Sequence, residues 1–311
     1  MCKPATTTTT QQPSSLEEEA FVSTTWKSWT AQRQAKIDAL NDRVTKLTIQ
    51  AKEISQASGK PLSLEYIHAQ QKMTTLVAGA PVYQLRSAWI VYAYCIFAAV
   101  LVSVGVYQTG SLPVSLVSLF MAFVGYDLYS GILHVVFDHP SNIALPVLGQ
   151  PCLEFQWHHA IPDDGVRRDF VDVCGDLNMA IAILVVVNLC MLDLGSGVAL
   201  TLGGLKLGMA YFGQFSHRSA HTFGPSRALA AQWLQTNGFM ISPKEHMAHH
   251  KQPHDIDFCL IGLCNPIIDA MRLVTTNNYI WLSTLLIWSM FDLVCCTYIV
   301  EALSKVVAGM I

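Results

Sequence analysis

Charge is what this sequence has least of. Asp, Glu, Lys and Arg make up 13% of its 311 residues, hydrophobic residues make up 52%, and the mean hydropathy is +0.37. A soluble domain carries about 25% charged residues. This chain has too little charge to clothe a surface in water, so its composition places it among membrane proteins. A net charge of -3 gives nucleic acid nothing to bind. CxxC pairs are missing as well. The nine cysteines follow no regular spacing, which argues for apolar filler in a reducing compartment rather than a disulfide framework. Met1 to Gln12 has a threonine run and one lysine but no apolar core, so no secretory signal peptide is expected. Haem, flavin and nicotinamide fingerprints are also lacking, so any redox chemistry would need an outside electron donor.

What is present begins with long uncharged runs. Ser87 to Tyr126 holds no charged residue, enough for two helices of about 20 residues each. Thr109 to Pro113 supplies the turn between them. Spans are expected at about 87–107 and 113–137. A further apolar block, Leu177 to Phe215, is broken by DLGSG at Asp193–Gly197 and contains Lys206. It reads as two short crossings or a dip and return. Leu273 to Val300 makes a fifth candidate span. The expected fold is all-α, a polytopic membrane bundle of four to five spans with a histidine-rich cytosolic cap and an N-terminal amphipathic helix.

The organisation follows from the same pattern. Residues 1–14 are a low-complexity tail, and 15–85 a cytosolic helical region opening on a capping box at Ser15 and Glu18. That region carries an a/d stripe of Ile37, Leu40, Val44, Leu47, Ala51 and Ile54. Residues 86–272 hold the candidate chemistry, and 273–311 a last span and tail. Span parity puts 138–176 and 216–272 on the side of the N-terminus, and their Arg and Lys residues make that side cytosolic.

The histidines are concentrated there. Of the chain's 11, four lie in PKEHMAHHKQPH: His246, His249, His250 and His254. His134 and His139 end the second span, His158 and His159 are adjacent, and His217 and His221 follow the fourth apolar segment. Only His68 stands apart. Spacings of three and four put ring nitrogens on one helix face, and Asp127, His134 and Asp138 share a face in the same way. Neutral imidazole is the commonest metal ligand. One HxxxH arises by chance; four clusters at span ends on one side point to metal. A tetrahedral zinc uses three or four ligands, fewer than are offered here. Met247 after His246 excludes HExxH, and no thiolate sits among the histidines, against copper(I) or iron–sulfur sites. Eight imidazoles suit two non-haem irons with positions open for O2. A non-catalytic metal transporter is the rival class, but transporters place ionisable ligands near the bilayer midplane.

These motifs resemble the Kua lipid-desaturase family, which has animal ether-lipid and plant plastid members. The resemblance rests on Asp127, Ser130-Gly131, His134 and Asp138, then Phe155, His158-His159 and Pro162. It continues through Arg168 to Phe170, His217-x3-His221-Thr222, Lys244-x-His246-x2-His249-His250 and Asn265, covering about 120–272. It implies iron ligation by His134, His158, His159, His217, His221, His246, His249 and His250. Glu245 departs from the animal pattern, His139 has no counterpart, and the role of His254 is open. Asp138 is a candidate for orienting a ligand imidazole and Asn265 for approaching the metal, with a structural hydrogen bond the alternative for both. The family implies O2 as co-substrate and a phospholipid substrate. It also implies electrons from cytochrome b5 or a ferredoxin. DFVDVCGDLN and PHDIDFC point to the branch in the endoplasmic reticulum that forms the vinyl ether of plasmalogens, and this is the expected one; FQWHH and Arg167-Arg168 point to the alternative, the plastid branch, whose substrate is phosphatidylglycerol.

Overall fold

A computed structural model describes residues 87–145, 148–160, 162, 166, 169–251 and 254–310, with scattered helical positions between 31 and 57. Every regular element among the described residues is helical. The Ser15 capping box, His68, Arg167, Arg168 and most of the 37–54 stripe lie outside them. Of that stripe only Ile54 is described, helical and exposed.

The first two spans form as their turn residues require. α1 is Ala88–Thr109 and stops at Gly110, whose φ of 60° is the left-handed C-cap that glycine adopts without strain. Two residues later α2, Leu112–Phe137, starts with a proline in its first turn, where no N–H is missed. A short 3-10 turn, Pro140–Ala144, leads to α3, Gly149–Ala160. α4 is Phe170–Gly175. α5, Asn178–Met191, and α6, Gly197–Ala220, form a hairpin that turns where DLGSG was expected to break the block. The 14 residues of α5 reach about 21 Å, short of a hydrocarbon core of about 30 Å. A second 3-10 turn, Gly224–Ser226, precedes α7, Leu229–Thr236, and α8, Pro243–His249. α9 is Asn265–Val274 and α10 is Asn278–Met310.

Three described helices are long and apolar enough to cross a membrane: α1, α2 and α10 over 278–306. α6 is long but sits in the middle, with most of its residues buried. It meets α1 through glycine notches. A Cβ on Gly105 would lie 2.5 Å from the backbone N of Thr201, and one on Gly204 would lie 2.6 Å from the carbonyl of Ala98. Such small-residue contacts are how membrane helices gain packing without a hydrophobic driving force. Lys206, out of place in an apolar run, has a partner no local pattern could name. Its Nζ lies 2.6 Å from Oδ1 of Asp292 on α10, both side chains nearly buried. This pair lines one side of a mainly apolar cleft, together with Tyr126, Leu184, Leu202 and Leu293.

One loop is fastened to the bundle by polar side chains. Buried Asp127 on α2 accepts N–H groups of Ile261, Gly262 and Cys264 at 2.8, 3.2 and 2.7 Å. Ser130 Oγ accepts from Leu260 N, and Ser216 of α6 donates to the Leu260 carbonyl. Asn265 accepts from Cys259 N and donates to Asp257. Gly131 leaves room for Cys259 and Ile268, which a Cβ would meet at 2.5 and 2.7 Å. Asp127, Ser130, Gly131 and Asn265 thus build the wall behind the histidines.

Candidate metal centre

Four helices bring the histidines together, each by its last turn. His134 ends α2, with Asp138 as C-cap; His158 and His159 end α3. His217 ends α6, with His221 as C-cap; His246 and His249 end α8, with His250 as C-cap. A helix C-terminus carries about half a negative charge. Four such ends converging on one volume favour a cation there. α8 is held at its other end by a capping box: Glu245 N donates to Ser242 Oγ, and Ser242 N donates to Glu245. Glu245, which departs from the animal family pattern, therefore has a task in starting this helix.

The nitrogens and oxygens fall into two groups. His158, His217, His221, His246 and His250 each offer a ring nitrogen, and Asp138, His159 and His249 form a second set; within each set the ligand atoms lie within 4.8 Å of one another. In the first set, Nε2 of His221 is 2.9 Å from Nε2 of His158 and 2.8 Å from Nε2 of His246, which is 3.2 Å from Nε2 of His250. In the second, Oδ1 and Oδ2 of Asp138 each lie 3.3 Å from a ring Nε2, of His159 and His249 respectively. His134 stands between the sets, its ring centroid 6.2 Å from that of His217 and 5.7 Å from that of His249.

Hydrogen bonds determine which ring atom is free to ligate. Nδ1 of His134 faces the Ser130 carbonyl at 3.0 Å, and Nδ1 of His249 faces the Ile256 carbonyl at 2.9 Å. A carbonyl only accepts, so each Nδ1 carries the proton and each Nε2 keeps its lone pair. Nε2 of His249 and both Asp138 oxygens are buried without a hydrogen-bond partner among the described residues, as is Nε2 of His217. Buried polar atoms without partners cost about 1–3 kcal/mol each, so so many in one place need an explanation.

Either protons or metal could satisfy lone pairs that face each other at 2.8–3.3 Å. Burial pushes the His159 and His221 imidazoles down to about 4, and burial with nearby histidines pushes His250 down to about 2. These three rings are neutral at pH 7, whereas Asp138 outweighs burial at His249 and raises that imidazole, so protons serve the Asp138–His249 pair and leave the five-histidine set unfilled. Burial alone would raise the Asp138 carboxyl, but the surrounding imidazoles outweigh it and hold the group ionised. Metal fits instead. Two nitrogens bound to one ion at about 2.1 Å and at right angles to each other lie about 3.0 Å apart, close to the spacings of the first set. Five imidazoles exceed a tetrahedral zinc, and two histidines with one carboxylate are the donor set of non-haem iron sites.

Not every residue singled out in the sequence joins this arrangement. Asp138, read there as a group that orients an imidazole, has both oxygens at ligand spacing. Asn265 has both ends of its amide engaged within its own loop. His139 caps the 3-10 turn through Ser141, 2.7 Å from its hydroxyl. His254 sits at the rim with φ 58°, its ring 4.4 Å from that of His159 and its Nδ1 2.9 Å from the His249 carbonyl. Phe155 and Phe258 close the apolar side, 5.0 Å from His134 and 5.1 Å from His249 between ring centroids. Phe155 carried a motif signal; Phe258 and the Ser130 and Ile256 carbonyls had none that marked this role.

Helices of membrane length ending in a buried histidine-and-carboxylate cluster define a class of membrane protein built to hold metal at one end of its bundle. A lipid desaturase domain matches residues 123–284, over half of the chain, and the chain belongs to that family. It is similar to "Fatty acid desaturase 4, chloroplastic" of Arabidopsis thaliana, 28% identical over 157 residues, 48% of this chain and 47% of that protein. "Fatty acid desaturase 4-like 1, chloroplastic" of the same plant is 26% identical over 50% of this chain and 52% of its own length. The chain spans about half the length of the curated relatives it matches. No solved structure matches it.

Proposed function

We propose that this chain is a membrane lipid desaturase whose metal centre comprises two non-haem irons. They are held by His134, His158, His159, His217, His221, His246, His249 and His250, with Asp138 as a further ligand. The observation that carries this reading is the convergence of eight of these side chains at ligand spacing, with His134 between the two sets, at four helix C-termini, where several buried atoms have no partner among the described residues. Iron bound there would supply the activation of O2. Removing two hydrogens from adjacent chain carbons while O2 becomes two waters consumes two more electrons and two protons. The electrons come from an external carrier of the cytochrome b5 or ferredoxin kind.

The chain's own residues prepare that chemistry. The carbonyls of Ser130 and Ile256 hold His134 and His249 in the ligating tautomer. Phe155 and Phe258 keep water from the apolar side of the site. α1, α2 and α10 form the lipid-embedded body against which a substrate chain lies, and residues 86–272 carry the site. Arg218 and Lys251 face the cytosol or, in a plastid, the stroma.

The substrate reading favours an acyl chain and a plastid membrane, because the curated relatives are named as chloroplastic fatty acid desaturases. The ether-lipid reading, with its place in the endoplasmic reticulum, is the second reading and rests on DFVDVCGDLN and PHDIDFC. Lipidomics with and without the chain separates the two. New trans-unsaturated acyl chains support the first and vinyl ethers the second. No change in any lipid, from protein that holds about two irons per chain, rejects desaturation. Stoichiometric zinc without iron rejects the metal assignment.

A further inference from the structure

The segment between the two halves of the histidine cluster does not look built for water. From Ala228 to Ser242, between Arg227 and Lys244, there is no charged residue. It comprises α7 and a turn at Gly238, whose φ is 73°. Leu229, Trp233 and Phe239 are exposed, Leu229 at 82% and Trp233 at 60%. Span parity alone would leave this stretch on the aqueous side with the rest of 216–272.

Two observations place it differently. The first is depth. Phe239 packs edge-on against Phe123, 6.1 Å between centroids, and Phe123 also packs on Phe212. Phe123 is in the interior of the α2 span, 11 residues before His134, or about 16 Å along the helix. The turn after α7 therefore reaches back down the bundle, alongside a span. Trp233 stacks on Phe239 at 6.0 Å, so its exposed face continues the apolar outer surface of α2.

The second is how the segment treats its polar groups. Gln232 donates to the Arg227 carbonyl, Gln235 to that of Ile241, Thr236 to that of Gln232 and Asn237 to that of Trp233. Each of these side chains donates to nearby backbone, and Gln235 also accepts from Arg227 Nη1 at 3.0 Å, so their hydrogen bonds are made within the protein, as a segment in lipid requires.

We propose that residues 228–242 form a membrane-inserted hairpin whose Leu229, Trp233 and Phe239 face contacts lipid acyl chains beside the metal centre. The hairpin joins His221 directly to the helix of His246, so the bilayer itself holds one flank of the site. A second protein copy on this face is the competing occupant, and the experiment distinguishes them. The inference rests on the chain being a membrane protein and needs neither its metal nor its substrate.

The test uses the full chain in phosphatidylglycerol vesicles. There are seven tryptophans, so the Trp233 signal is taken as the difference between wild type and Trp233→Phe. We expect most of that emission to be lost when the lipid chains are brominated and to be unaffected by iodide in the buffer. Quenching by iodide but not by brominated chains would put the hairpin in water and overturn the proposal. Quenching by neither would mean protein covers the face, which also overturns it. Trp233→Phe is conservative at an exposed position, and retention of the remaining tryptophan emission and of vesicle association checks that the variant is folded.

Discussion

Two buried polar clusters sit in this bundle, and they differ in whether they are complete. Lys206 and Asp292 compensate each other, 2.6 Å apart. The histidine cluster does not: Asp138 draws His249 toward a charged pair, but the five-histidine set turns nitrogen lone pairs on one another with no carboxylate among them, and several atoms of the cluster have no partner among the described residues. Burying charge in an apolar body is costly unless it is paired. The first cluster meets that cost internally and reads as a fastening between α6 and α10. The second can be balanced only by something added, and four helix C-termini specify that it be positive. Incompleteness, more than polarity, marks the site.

That contrast is broken most severely by removing ligands. His246→Ala and Asp138→Ala should each abolish desaturation and lower bound iron, with the protein still in the membrane; elemental analysis and product-lipid assay at matched expression measure this. If three or more of the eight histidines tolerate alanine, the two-iron assignment fails. Disturbing the complete cluster should instead cost stability. Asp292→Leu strands a buried ammonium and should destabilise by about 3–5 kcal/mol, read as a lowered unfolding midpoint in detergent. The double variant Lys206→Met with Asp292→Leu should recover most of that loss and keep its iron. If the double variant loses iron while folded, the two clusters are coupled and the distinction drawn here is wrong.

Smaller effects sharpen the comparison. Asp127→Asn exchanges a carboxylate that accepts three N–H groups for an amide with one acceptor, at a cost of about 2 kcal/mol. Thermal unfolding should shift, and the folded fraction should still bind iron. The least change is expected for His139→Ala, since His139 serves the turn at Ser141. It should retain iron content and most product formation, and a loss as deep as that of His249→Ala would place His139 in the centre after all.

The sequence was informative where local spacing carries three-dimensional meaning. His217-x3-His221 and His246-x2-His249-His250 converge because a helix repeats every 3.6 residues, and an uncharged run of membrane length can hardly be anything but a span. Gly110 and Pro113 marked the first turn, and DLGSG the second, because backbone angles and missing donors act within a few residues. The same reasoning stopped at Asp138, whose neighbours in sequence do not show that both its oxygens would face histidines from α3 and α8. Nor does a parity count speak to the hairpin proposed at 228–242, since counting spans says nothing about a segment that turns back.

The amino-acid sequence alone therefore marked the membrane class, the long apolar helices and the histidines at helical spacing, all properties set by composition and by spacing within one helix. Only the tertiary structure decided that Lys206 would meet Asp292 and that five histidines would separate from the pair with Asp138. Those outcomes depend on which helix ends share a volume. That is settled by packing across 86 residues in one case and by the convergence of four C-termini in the other, neither of which any local pattern encodes.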